Sequence, residues 1–132
     1  MSDAKNNLMG DVMPPNEEAK AVFHGVKDDV IKRLHELKHE DNIHDFHVMD
    51  DLKKIDTFLL KQYAVEEVAY GYNYFGKIEI EENKNIHVRC HKYHDDPKNE
   101  RIEFYSILTE KDETGKRTAI WSPEEPLKYF ID

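Results

Sequence analysis

The chain has 132 residues, of which 39% are hydrophobic and 36% are charged, so the sequence suits one domain with a modest core and a very polar surface. The formal net charge is −9, which argues against nucleic acid and anionic membrane surfaces as partners, because binding either requires a positive footprint. No run of about 18 apolar residues occurs, so the sequence predicts no membrane span.

The compartment can be inferred from the first residues and from the cysteine content. The stretch MSDAKNNLMG lacks the basic start and apolar core of a secretory signal, so we expect an intracellular, cytoplasmic protein. The single cysteine, Cys90, agrees with this expectation, since one thiol cannot form an internal disulfide. Cys90 alternates with apolar residues, and we therefore predict a buried, unreactive thiol.

Residues 1–15 are predicted to form a flexible N-terminal arm, and residues 16–132 to form a single domain. The arm is polar, contains glycine and two prolines, and shows no periodicity. Asn16 is a suitable N-cap for the element that follows, because Glu17 and Glu18 would lie in a first helical turn, where the helix dipole favours acids.

A long amphipathic helix is predicted over roughly residues 17–39. Apolar residues recur there at steps of three and four: Ala19, Val22, Phe23, Val26, Val30, Leu34 and Leu37. This spacing places them on one face, which would pack against a core. Residues 40–53 are charged and irregular, and we expect them to form a loop.

The rest of the chain is typical of β-strands separated by turns. Strands are predicted over residues 54–69, 72–81, 86–92 and 101–109, and a further hairpin begins at 111–115. In the third of these strands Ile86, Val88 and Cys90 share one face, and His87, Arg89 and His91 share the other, which we expect to face solvent. A helix followed by a meander predicts the α+β class, with one long helix packed on a four- to five-stranded antiparallel sheet.

Residues 35–39 read HELKH, which on a helix is the zinc-binding signature of metalloproteases. On a helical wheel with about 100° per residue, the apolar positions lie within about 60° of the centre of one face. His35 and His39 lie on the opposite face, near 160° and 200°. Both imidazoles are therefore expected to face solvent, in a strongly charged neighbourhood. We favour a solvated helix face. Adventitious surface metal binding and a small zinc peptidase, with a third ligand from His44 or His47, are the alternatives.

Other signals for catalysis are weak. His87 and His91 would lie roughly 13 Å apart along a strand, too far to share a metal ion. The acid pairs at 66–67 and 95–96 look like loop charges, and neither a serine-centred elbow nor a glycine-rich phosphate loop occurs. We therefore expect a protein that is not an enzyme, with no catalytic residue, no metal site and no cofactor.

The chain contains four short motifs, at residues 8–10, 71–75, 86–94 and 127–130, and all four resemble motifs of cystatins, specifically the stefin subgroup. Residues 71–75, GYNYF, resemble the end of the first hairpin loop, where Gln-Val-Val-Ala-Gly runs into Thr-Asn-Tyr-Phe/Tyr. Residues 86–94, IHVRCHKYH, are similar to the stefin strand Val-His-Leu-Arg-Val and its following loop. Residues 8–10, LMG, are similar to the apolar trunk ahead of the cystatin helix, and residues 127–130, LKYF, resemble the stefin ending. The order of the motifs along the chain is also that of the family.

The resemblance implies a cystatin-like fold and reversible, tight inhibition of papain-like (cathepsin-type) cysteine proteases by occlusion of the active-site cleft. It implies three protease-binding parts: Leu8, Met9 and Gly10 of the arm; Glu67, Val68, Ala69, Tyr70 and Gly71 of a first loop; and Tyr93, His94 and Asp95 of a second loop. Hairpin tips pre-organised by a sheet would lose little entropy on docking. The family also implies a monomer or a domain-swapped dimer.

The sequence departs from the stefin pattern within the proposed loops. Glu67 carries a charge where the family has an amide, and Tyr70 is bulky where the family has alanine. His94 and Asp95 stand where stefins carry Leu-Pro. Two alternatives therefore stay open: a cystatin-fold binding module that does not inhibit proteases, and loops that are merely hairpin turns.

Overall fold

The computed structural model of the chain describes residues 7–38, 57–93, 101–111 and 117–131. The elements are α1 (Glu17–Gly25), α2 (Lys27–Lys38), β1 (Leu59–Val68), β2 (Gly71–Glu81), β3 (Lys84–Tyr93), β4 (Ile102–Ile107), β5 (Glu110–Lys111) and β6 (Arg117–Thr118). Strands β1 to β4 form one antiparallel sheet in chain order, and β5 pairs with β6. The predicted α+β class and antiparallel meander are confirmed.

The prediction of one uninterrupted helix is wrong, because the helical region is divided at Val26. The backbone of Val26 has φ −110° and ψ 10°, and its N–H donates to the carbonyl of Phe23 at 3.2 Å, as in a tightened last turn. Gly25 precedes the break, and glycine stabilises a helix less than other residues do, proline excepted. The N–H of Val30 donates to the Val26 carbonyl at 2.9 Å, so α2 starts at once and stays in phase with α1.

The predicted cap at Asn16 is confirmed. Its side-chain oxygen accepts a hydrogen bond from the N–H of Ala19 at 2.7 Å. Its side-chain amide donates to the hydroxyl of Tyr63 on β1 at 2.9 Å. The start of α1 is therefore tied to the sheet by the same residue that satisfies a free N–H of its first turn.

One face of the sheet packs against both helices. The buried residues of this core are Ala19, Val22, Phe23, Val26, Val30, Leu34, Leu37, Leu60, Tyr63, Tyr74, Ile78, Ile80, Ile86, Val88, Cys90, Ile107 and Ala119. The ring of Phe23 lies against Gly76, where an added Cβ would be 2.5 Å from the ring's Cζ atom. Burial raises the pKa of the Cys90 thiol. The prediction that Cys90 is buried is confirmed, and its lack of reactivity stays a prediction.

The opposite face of the sheet is covered by residues 121–131, which we call the C-terminal cover. Trp121 and Asn85 exchange two backbone hydrogen bonds, of 2.9 and 2.8 Å. The side chain of Lys77 donates to the carbonyl of Pro123 at 2.9 Å. An apolar cluster of Phe75, Leu108, Leu127 and Phe130 fills the space between the cover and the sheet.

The prediction that His87, Arg89 and His91 face solvent is therefore wrong, since only 0%, 8% and 4% of these residues is exposed. The Arg89 guanidinium donates to the carbonyl of Phe130 at 2.9 Å, and its Cζ lies 5.3 to 5.5 Å from three aromatic ring centroids. The ring of His87 stacks on that of Trp121, with centroids 5.8 Å apart. The C-terminal cover therefore buries a sheet face that the alternation of apolar and polar residues alone predicted to be exposed to solvent.

Residues 9–13 of the predicted arm run along the free edge of β1. The N–H of Gly10 donates to the carbonyl of Val65 at 2.9 Å. Met13 and Tyr63 exchange backbone hydrogen bonds of 2.8 and 3.0 Å. This part of the arm therefore forms a rudimentary edge strand, antiparallel to β1.

The turn predicted at 82–85 is shorter in the structure: it comprises residues 82 and 83, with Asn83 at a positive φ of 60°, and Lys84 and Asn85 belong to β3. The predicted loop 40–53, the turn at 95–99 and residues 112–115 of the last hairpin lie outside the described residues. Neither helix of the described ranges is long and apolar enough to cross a bilayer.

Candidate functional site

Three separate parts of the chain meet at one end of the main sheet, where the first hairpin turns from β1 to β2. Val68 at the end of β1 pairs with Gly71 at the start of β2, and Gly71 pairs with Tyr93 at the end of β3. Met9 of the arm bridges to Glu66, two residues inward from Val68. We call residues 8–10, 67–71 and 93 the three-part edge. The antiparallel order of β1, β2 and β3 is what brings its members together.

The first hairpin has a two-residue turn at its tip. Ala69 and Tyr70 connect the paired residues Val68 and Gly71, so Glu67 and Val68 belong to β1 and not to a loop. Tyr70 is 73% exposed, and Glu67 is also exposed. The tip therefore presents a phenol and a carboxylate to solvent. Gly71 has φ 147°, a conformation that residues with a side chain rarely adopt.

Replacing Gly71 with alanine is expected to lower the free energy of unfolding by about 1–2 kcal/mol, because the Cβ strains the backbone at this φ. Urea denaturation followed by circular dichroism measures the change. Gly10→Ala is the matched control: its Cβ would lie an ordinary 3.5 Å from the Val65 carbonyl, so we expect a change within about 0.5 kcal/mol. Equal losses in the two variants would contradict the strain at Gly71.

The arm contributes apolar side chains to the three-part edge. Leu8 is 74% exposed and projects beside the first hairpin, where its backbone is held through Glu66. Met9 is partly buried and packs against the apolar cluster around Phe75 beneath the C-terminal cover. One arm residue is therefore anchored in the molecule while its neighbour remains available to a partner.

Tyr93 is held from several sides. Its hydroxyl donates to the Glu103 carboxylate at 2.8 Å, a bond that raises the pKa of the phenol. Arg101 lies over the ring at 4.0 Å from its centroid, and the His91 ring meets it edge-on at 4.3 Å. Tyr93 thus has a fixed orientation. The other two predicted residues of this loop, His94 and Asp95, lie outside the described residues.

A buried row of polar side chains, which the sequence pattern did not indicate, lies just inside the edge. We call Glu66, Asn73 and His91 the polar row. Glu66 is 0% exposed, so its prediction as a loop charge is wrong. Its Oε1 accepts from Asn73 Nδ2 at 2.8 Å, and its Oε2 accepts from the N–H of Leu8 at 3.1 Å. The Asn73 Oδ1 and His91 Nδ1 atoms are 2.8 Å apart.

The HELKH motif lies on α2, away from the three-part edge. His35 and Glu36 are exposed, as predicted, while Leu34 and Leu37 are buried against the sheet. The Glu36 carboxylate lies 3.9 Å from the Arg33 guanidinium. His39 is not among the described residues, so the prediction for the second imidazole stays a prediction. No group of three metal-capable side chains occurs in the part of the chain that the structure describes.

Comparison with known proteins adds no assignment. No protein-family model matches the chain, and a search of curated proteins finds no significant match. The candidate site is therefore defined by its geometry: an exposed leucine, an exposed two-residue turn and an oriented tyrosine on one edge of a sheet.

Proposed function

We propose that this chain is a cystatin-like, reversible inhibitor of papain-like cysteine proteases, and that the three-part edge fills the protease's active-site cleft. The observation that supports the proposal is the convergence of Leu8, the Ala69–Tyr70 turn and Tyr93 at one end of the sheet. These are the parts that the stefin resemblance assigns to protease binding. The helical layer on the other side of the sheet is the arrangement expected of that fold.

Inhibition would proceed by occlusion, without chemistry from the inhibitor. The exposed side chain of Leu8 is suited to an apolar subsite of the protease, and the hairpin turn would lie over the catalytic thiol without offering a cleavable bond. The edge is fixed by the sheet before it meets a partner, because β1, β2 and β3 pair along their lengths. Pre-organisation of this kind lowers the ordering cost of binding.

Titration of papain with the purified chain tests the proposal. We expect hydrolysis of a small fluorogenic peptide to fall as the protein is added at micromolar concentration, and unchanged hydrolysis would exclude the inhibitor function. We further expect Gly10→Trp to weaken inhibition by at least about tenfold, because an indole would separate the arm from both β1 and the cleft. Gly10→Ala is the control for this position, since its Cβ meets no close contact in the chain. Equal inhibition by the tryptophan variant would remove the arm from the mechanism.

A second candidate is a cystatin-fold module that binds proteins without inhibiting proteases. The exposed bulk of Tyr70 and the exposed charge of Glu67 favour it, since both would have to enter a narrow cleft. The double variant Tyr70→Ala with Glu67→Gln distinguishes the candidates. Inhibition by this variant but not by the parent chain would assign the parent to the binding module. Inhibition by the parent would eliminate the second candidate.

A further inference from the structure

The polar row connects the parts of the three-part edge from inside the molecule. Glu66, Asn73 and His91 occupy directly paired positions on β1, β2 and β3. They lie two residues inward from Val68, Gly71 and Tyr93, on the sheet face opposite the helices. A glutamate is rarely buried completely unless it has partners, because an unpaired buried charge is strongly unfavourable. The partners of Glu66 therefore indicate what it does.

The direction of each hydrogen bond follows from the chemistry of the row. A carboxylate only accepts, so Asn73 must turn its amide nitrogen toward Glu66 and its carbonyl oxygen toward His91. His91 then donates through Nδ1. At the other end, the second carboxylate oxygen of Glu66 accepts from the backbone of Leu8 at 3.1 Å. The chain of bonds thus runs from the arm to the histidine whose ring meets Tyr93.

We propose that Glu66 is the positioning residue of the arm, and that its buried carboxylate holds Leu8 beside the first hairpin. The backbone hydrogen bond from Gly10 to Val65 holds the arm at a second point, so the two bonds together fix both the position and the direction of the arm. Asn73 and His91 hold the carboxylate in register with Tyr93. The effect on protease binding rests on the proposed function, whereas the placement of the arm does not.

Amide hydrogen exchange measured by NMR tests the placement without any protease. Glu66→Met fills a similar volume but offers the Leu8 N–H no oxygen acceptor, so we expect exchange at Leu8 to accelerate about tenfold or more, with a smaller rise at Gly10. Exchange at Val88, in the centre of the sheet, should not change. Glu79→Met, on the same sheet face but far from the arm, is the matched control, and we expect it to leave the arm amides unchanged.

Leu8→Pro provides a second route to the same result. Proline has no N–H, so this variant removes the donor without altering the buried row. We expect faster exchange at Gly10, and this variant decides the question if Glu66→Met does not fold. Unchanged exchange at Gly10 in folded Leu8→Pro, or at Leu8 in folded Glu66→Met, would overturn the proposal.

The consequence for inhibition is tested by a double-variant cycle. Glu66→Met should weaken papain inhibition, and it should cause no further loss once residues 1–10 are deleted, because it acts through the arm. Losses that add would overturn the positioning role. If the parent chain does not inhibit papain at all, the proposed function fails, while the exchange rates at Leu8 and Gly10 still decide whether Glu66 positions the arm.

Discussion

Replacing Phe23 with alanine is expected to lower the free energy of unfolding by about 3–5 kcal/mol. Phe23 is almost completely buried between α1 and the sheet, and its ring meets Tyr74 edge-on with centroids 6.1 Å apart. Because Gly76 beneath the ring has no side chain, position 76 cannot fill the space that the ring leaves. Urea denaturation followed by circular dichroism measures the loss. Tyr70→Ala, an exposed aromatic, is the control and should change stability by less than about 0.5 kcal/mol.

The contact between Phe23 and Gly76 also predicts a coupling between the two positions. Gly76→Ala alone should cost about 1–3 kcal/mol, since its Cβ would lie 2.5 to 2.9 Å from three atoms of the Phe23 ring. In the Phe23→Ala background the same Cβ enters vacated space. The double variant should therefore lose less stability than the sum of the two single variants. If the stability losses of the two single variants simply add in the double variant, the packing of the Phe23 ring does not depend on the missing side chain at position 76.

Mild acid is expected to destabilise the protein through His87. Burial, together with the charges of Lys77 and Lys128, lowers the pKa of His87 to about 4. In the unfolded chain the pKa of histidine is about 6.5, so the unfolded state binds the proton first as the pH falls. The stability contributed by neutral His87 is complete above about pH 6.5 and is lost progressively between pH 6.5 and about 4. Between pH 7 and pH 5 we expect a loss of about 2 kcal/mol.

Urea denaturation at several pH values between 7 and 5 measures this dependence. His87→Phe retains a ring to stack on Trp121 and cannot titrate, so most of the acid-induced loss should disappear in this variant. His24→Gln, at an exposed position on α1, is the control for the replacement of a histidine. An unchanged slope in His87→Phe would assign the acid sensitivity to other groups.

The helical core could be predicted from the sequence because its spacing is regular. Val22, Val30 and Leu34 recur at helical intervals, and all are buried where the pattern placed them. The break after Gly25 could not be predicted from the same pattern. The second helix continues in phase with the first, so the apolar residues keep their spacing of three and four across the break.

The second covered face of the sheet had no such signal. Alternation in β3 assigned His87 and Arg89 correctly to the face opposite the helices, but it does not say what lies on that face. The C-terminal cover contains prolines and no periodic pattern. Two of its bonds to the sheet are made by backbone carbonyls, those of Pro123 and Phe130. Every residue has a backbone carbonyl, so such contacts require no particular residue type and cannot be predicted from the sequence.

The candidate site could be predicted in part. The resemblance placed Gly71 at the first hairpin, and the structure explains that glycine by its positive φ. The burial of Glu66 could not be read from the acid pair alone, because Glu66 and Glu67 together are typical of a loop, whereas neighbours on a strand face opposite ways. Pairing the hairpin backward from Gly71 places Glu66 opposite Asn73, which would have revealed a polar pair on a sheet face.

The sequence contains one tryptophan, Trp121, and its position makes it a natural spectroscopic reporter. Its ring stacks on His87, and its indole N–H donates to the Leu108 carbonyl at 3.4 Å. Intrinsic fluorescence therefore follows the docking of residues 121–131, whereas far-ultraviolet dichroism follows the helices on the other side of the sheet. If the two signals have different denaturation midpoints, the layers that pack on the two faces of the sheet unfold at different free energies. This measurement needs no label on the protein.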